Sequence, residues 1–232
     1  MLLNFISSGG SKAELIQFLL TIPIILFSLS FHEYSHAYAA YKMGDPTARN
    51  LGRMTLNPIK HLDPLGTVMM LLIGFGYAKP VPVNSRNFKN AKKGMALTAF
   101  AGPLSNLFLA IVSALILRIL IVVLNGATIT AEFQFNFYTL LLDFFYLFHI
   151  LNLSLAVFNM IPIPPLDGSR LANIFLPDKI YFGLMKYERY IMIALIAVVF
   201  ILPRVTDVSP VWWVASKISS GIMWLIGLIP GL

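Results

Sequence analysis

Long apolar runs constrain this chain more than any other feature: they lie at about 15–42, 64–78, 94–124, 138–160, 190–203 and 211–230. Several reach the roughly 20 helical residues that a hydrocarbon core requires. Of 232 residues, 58% are hydrophobic and 12% charged, which leaves no stretch for an independent globular core. The expectation is one integral-membrane domain over 1–232. It is all-α and polytopic, with about five to six transmembrane helices, a core at about 15–170 and accessory C-terminal helices at about 188–232. The lipid bilayer is its first partner.

The net charge of +7 does not point to nucleic acid, because the basic residues sit in short segments between apolar runs. Nine of the 17 Lys and Arg fall between Lys42 and Lys93, four fall between Arg170 and Arg189, and the connection 124–137 has none. By the positive-inside rule the two basic stretches are cytoplasmic. The first helix then runs inward, 94–124 outward, 138–160 inward and 190–203 outward. The segment 64–78 is short, carries Gly and Pro at its ends and has basic flanks. It reads as a re-entrant dip from the cytoplasmic side. Around it, 52–64 and 79–84 can form a β-hairpin at the cytoplasmic rim or, equally, an ordinary structured loop.

An apolar run ending at Ala37-Tyr38-Ala39 imitates a signal-peptidase site, but it is longer than a usual signal core and its helical pattern continues through Tyr41. That helix also carries the strongest motif, His32-Glu33-Tyr34-Ser35-His36. Spacing i, i+4 puts both imidazoles on one helix face, where they can share a metal, with Glu33 beside them as a base for water. Three ionisable side chains in a membrane helix are costly unless they pair, line a wet cavity or bind something. The chain has no cysteine, so any zinc must be held by His and carboxylate.

A catalytic zinc needs a third protein ligand and an open position. Three prolines within Pro162-Ile163-Pro164-Pro165 cannot continue the helix 138–160, so irregular backbone follows at membrane depth. Asp167 lies just beyond, at the start of a short helix. Taken alone it reads as an N-cap. With the third ligand position unfilled, it reads as the carboxylate that completes a set of two imidazoles and one carboxylate with His32 and His36.

Taken together, His32, Glu33 and His36, then Gly102-Pro103-Leu104-Ser105-Asn106, then Asn159 followed by Pro162, Pro164 and Leu166-Asp167-Gly168, resemble the site-2 protease family of intramembrane zinc metalloproteases. The resemblance covers about 15–170. It implies one zinc (Zn2+) per chain with Asp167 as third ligand, and Asn159 steadying the substrate backbone or the oxyanion. It also implies a site toward the cytoplasmic side of a prokaryotic plasma membrane. The connection 124–137 is too short for the PDZ domain some members insert there, so the chain resembles the short, minimal branch.

The expected activity is hydrolysis of peptide bonds within transmembrane helices of other membrane proteins, with Glu33 as catalytic base. Unwinding of the substrate helix must come first, because helical hydrogen bonds shield its peptide bonds. Two other readings compete: an intramembrane metal-ion transporter or channel, since buried ionisable groups also mark ion paths, and a non-catalytic homologue that binds membrane helices. Neither needs a Glu placed to activate water. His149, Asn106 and Asn152 read as interhelical hydrogen bonds, Asn106 also as a residue that can reach the active cavity, and His61 with Asp63 as a loop contact.

Overall fold

The computed structural model describes residues 9–73, 76–126, 131–177, 179–180, 183, 186–206 and 209–229. Of the outer connection expected at 124–137, residues 127–130 lie outside the described residues. The described elements are α1 (Lys12–Lys42), α2 (Thr47–Asn50), a 3-10 turn (Pro58–Lys60), α3 (Pro64–Ile73), a second 3-10 turn (Ser85–Asn87), α4 (Ala91–Asn125), α5 (Glu132–Asn159), α6 (Asp167–Ala172), α7 (Glu188–Thr206) and α8 (Pro210–Gly227).

Three of these, α1, α4 and α5, are long and apolar enough to cross a membrane, at 31, 35 and 28 residues. At about 1.5 Å per residue each exceeds a hydrocarbon core of about 30 Å. α1 starts at a capping box in which Ser11 and Glu14 satisfy each other's backbone N–H groups. It then runs unbroken through Ala37-Tyr38-Ala39 to Lys42.

The bundle is organised around α4, which packs against α1, α5, α6 and α8. Its buried positions are mostly small: Gly94, Ala96, Ala99, Gly102, Ala110, Ser113 and Ala114. Small residues at this spacing let helix backbones approach where no hydrophobic force from water drives them together. Ala110, Leu153 and Ala215 close the contact of α4, α5 and α8.

Polar side chains tie the same helices. His149 donates from Nδ1 to the Ala110 carbonyl at 2.8 Å, and its Nε2 accepts from Ser219 Oγ at 2.8 Å. Asn106 of α4 donates to Asn152 Oδ1 of α5 at 2.9 Å, and Asn152 donates to Ser28 Oγ of α1 at 2.9 Å. His149, Asn106 and Asn152 are fully buried. In the bilayer interior such bonds replace otherwise unsatisfied groups.

Beyond α1, Gly44 takes φ 107, a left-handed conformation that turns the chain sharply into Asp45. The Asp45 carboxylate accepts from the Thr47 hydroxyl and N–H, the Asn84 N–H and the Asn87 amide. Burial would push this carboxyl up, but those four bonds outweigh it and hold it below the usual carboxylate range. His61 donates to the Thr55 carbonyl at 2.8 Å, and Asp63 accepts from the Gly66 N–H at the start of α3, so both serve the loop.

No strand forms among the described residues, which corrects the expected β-hairpin. Pairing of 52–64 with 79–84 shrinks to one antiparallel bridge, Leu62 with Ala78, and one bond from the Lys79 N–H to the His61 carbonyl. Pro80 and Pro82 have no N–H to extend the ladder. The bridge does bring the two ends of the 64–78 run together.

Asn152→Leu leaves Asn106 and Ser28 without their partner. Measured on metal-free protein in detergent, it lowers stability by about 1–2 kcal/mol, seen as a fall in Tm. An unchanged Tm would show that the chain of amides contributes nothing to packing.

Candidate metal centre

His32 and His36 lie one turn apart on α1 and are 5% and 8% exposed. His32 Nδ1 is 2.6 Å from Asn106 Oδ1, and His36 Nδ1 is 2.7 Å from the Thr98 carbonyl. Both partners accept only, since the Asn106 nitrogen is committed to Asn152. Each neutral imidazole therefore carries its proton on Nδ1 and presents a bare Nε2 lone pair.

The two Nε2 atoms are 2.9 Å apart, and Asp167 Oδ2 is 3.2 Å from each. Asp167 is the first residue of α6, whose N-terminus has no side-chain cap bond. Its carboxylate faces the histidines, so the capping role is not used. α6 reaches this position because α5 ends at Asn159 and the Pro162–Leu166 turn doubles back. Gly168 then packs so tightly that a Cβ there would lie 2.3 Å from the Met160 carbonyl oxygen.

Three potential donor atoms thus converge, and when both imidazoles are neutral a cation relieves the repulsion of their lone pairs. Their spacings approach the edge of a tetrahedron with bonds of about 2.0 Å, which is about 3.3 Å. Two neutral imidazoles and a carboxylate are donors suited to zinc. The residues present fit the ion.

α4 supplies the floor of the site. A Cβ on Gly102 would lie 2.4 Å from His36 Cε1 and Nε2 and 2.6 Å from His32 Cε1. Only glycine fits under both rings. Pro103 beside it cannot donate to Ala99, and the neighbouring carbonyl of Thr98 is the one that accepts from His36.

Glu33 is buried, and one carboxylate oxygen accepts from the Val81 N–H at 3.0 Å. Asn159 is half-buried, and its amide donates to the Leu155 carbonyl of its own helix at 3.1 Å. The structure thus brings His32, His36 and Asp167 together, sets Glu33 against Val81 and leaves Asn159 bonded along α5. Sequence reasoning missed Thr98 and Val81, which act through backbone atoms that no residue type announces. It also missed the reason for Gly102, which is apparent only once both imidazoles are in place. Asn106 and Asn152 were visible as polar residues in apolar helices, though not as the support of His32.

The family model of Peptidase family M50 matches residues 20–202. The chain belongs to this family of metalloproteases. Among its relatives, "Putative zinc metalloprotease YwhC" of Bacillus subtilis is 42% identical over 179 residues, 77% of this chain and 78% of that protein. "Putative zinc metalloprotease Rip2" of Mycolicibacterium smegmatis is 30% identical over 65% of this chain and 55% of its own length. "Zinc metalloprotease MJ0392" of Methanocaldococcus jannaschii is 29% identical over 70% of this chain and 36% of its own length. No solved structure matches. As an M50 peptidase the chain is a zinc metalloprotease and an integral membrane protein, and the ion-transport reading loses its support.

Gly102→Ala forces both imidazoles aside and weakens zinc binding by at least about tenfold, measured by competition with a zinc chelator dye. Gly126→Ala, where a Cβ would make only an ordinary van der Waals contact at 3.8 Å from the Val123 carbonyl oxygen, serves as the control and leaves binding unchanged. Equal affinity in the two variants would mean that the ion does not sit on these rings.

Proposed function

We propose that the chain, acting as a single integral-membrane metalloprotease domain, cleaves peptide bonds within transmembrane helices of other membrane proteins. His32, His36 and Asp167 hold the zinc, and Glu33 is the catalytic base. The observation that carries this reading is the convergence of two Nε2 atoms and one carboxylate oxygen within 3.2 Å of one another, with Glu33 on the same turn of α1.

Zinc bound there supplies Lewis acidity, polarising the scissile carbonyl and bringing the pKa of an attacking water toward neutrality. Glu33 takes the proton from that water and returns it to the leaving amine. Val81 restrains one Glu33 oxygen, which leaves the other to face the reactants. Asn106 and Thr98 hold the two rings in the tautomer that exposes Nε2. Asn159 gives up its bond to Leu155 and offers its amide to the substrate backbone or the oxyanion. The substrate helix must unwind locally to reach the site, so helix-breaking residues in it favour cleavage.

The site faces the cytoplasm of a prokaryotic cell across its plasma membrane. His36 is six residues from Lys42 at the end of α1, about 9 Å at 1.5 Å per residue, and the basic segments follow directly. The relatives are bacterial and archaeal proteins, in keeping with such a cell. α7 adds a further span, α8 either spans or lies along the interface, and the 64–78 run dips into the membrane from the same side.

Glu33→Gln tests the reading. The variant keeps its zinc and loses about 10²–10⁴-fold in cleavage of a quenched fluorescent apolar peptide of about 20 residues with a central Gly-Pro, reconstituted in vesicles. Cleavage at the wild-type rate would remove Glu33 from the mechanism.

A further inference from the structure

The segment Lys79–Asn84 follows the α3 excursion and passes over Glu33, and its placement depends on two side chains outside the metal centre. Pro80 and Pro82 lack N–H groups, so Val81 carries the one donor among these three residues. That donor is used on Glu33 Oε2 at 3.0 Å. The Val81 side chain is buried with Ala37 of α1 and Ala48 of α2, which packs the segment against the cytoplasmic end of α1.

Each end of the segment has its own anchor. At the start, Arg53 Nη2 donates to the carbonyl of Lys79 at 2.7 Å and to that of Pro80 at 3.4 Å. At the far end, Asp45 Oδ2 accepts from the Asn84 N–H at 2.7 Å. Asp45 Oδ1 accepts from the Asn87 amide at 2.6 Å and from Thr47. Charge-assisted bonds of this kind are roughly twice as strong as neutral ones. Asp45 and Arg53 both belong to the stretch that follows α1, so the helix carrying Glu33 is joined through its own continuation to the backbone that holds Glu33.

We propose that Asp45 and Arg53 are positioning residues for Glu33, holding Lys79–Asn84 so that the Val81 N–H fixes the Glu33 carboxylate. The proposal rests on the assignment of Glu33 as base. A buried carboxylate with no partner is free to turn toward the nearest positive group. Held at one oxygen, it keeps a single orientation, and a base that stays in place contributes through geometry.

The test uses the full zinc-loaded chain in detergent. In Asp45→Asn the single amide oxygen cannot accept from Asn84 on one side and from Thr47 and Asn87 on the other. Arg53→Met keeps the apolar stem and removes both bonds to the segment. Hydrogen exchange at Val81 is read in isolation, because its two neighbours in sequence have no amide hydrogen. In both variants the Val81 amide exchanges about tenfold faster or more, and zinc content equals that of the wild type. On the Gly-Pro peptide kcat falls about tenfold with KM little changed, and Arg53→Lys, which restores a donor, recovers part of the loss.

Unchanged Val81 exchange in both variants overturns the proposal. Faster exchange with unchanged kcat also overturns it, since the segment would then be held without serving Glu33. Loss of zinc in both variants overturns it too, because the residues would then act through the metal centre. Failure of the protease reading shows separately, as Glu33→Gln cleaving at the wild-type rate.

Discussion

Two imidazole nitrogens and a carboxylate oxygen, 2.9–3.2 Å apart and buried in an apolar helix bundle, set the terms for the surrounding structure. In such surroundings unpaired polar groups are costly, so each ring must be given its proton and its direction by a partner. The helices are arranged to do this. α4 brings Asn106 and Thr98 to the Nδ1 atoms and clears room at Gly102, and the proline turn after α5 returns the chain so that Asp167 can meet α1. Small residues along α4 make this approach possible.

Support for His32 extends two bonds further, through Asn106 and Asn152 to Ser28. One chain of hydrogen bonds therefore joins α1, α4 and α5, the three helices among the described residues that are long and apolar enough to span a membrane. The contacts that pack the bundle are in this way also the contacts that orient a ring of the candidate metal centre. On the cytoplasmic side of the proposed topology, Asp45 and Arg53 do the equivalent for Glu33, reaching it through backbone atoms of Lys79–Asn84.

Much of this was legible in the sequence because its physical signal is local. The i, i+4 spacing of His32 and His36 is a property of one helix, and the prolines before Asp167 announce a break that lipid would not tolerate without a purpose. The long apolar runs gave the helices, and His149, Asn106 and Asn152 stood out as polar groups needing partners within them. What the sequence left hidden depends on atoms shared by all residue types or on contacts across the bundle. The Thr98 carbonyl and the Val81 N–H have no signature of their own, and Gly102 is required only because two rings lie over it. The expected hairpin failed for a reason that was in view, since Pro80 and Pro82 remove the donors a ladder needs and leave one bridge at Leu62 and Ala78.

Two motifs far apart in the chain, one on α1 and one at the start of α6, must build one zinc site for the rest to follow. Zinc per purified chain, by elemental analysis of the wild type and of Asp167→Ala, decides it. One zinc per chain in the wild type and a clear loss in the variant is the predicted result. Full retention of zinc by Asp167→Ala, or a wild-type chain that carries none after handling without chelators, would contradict it.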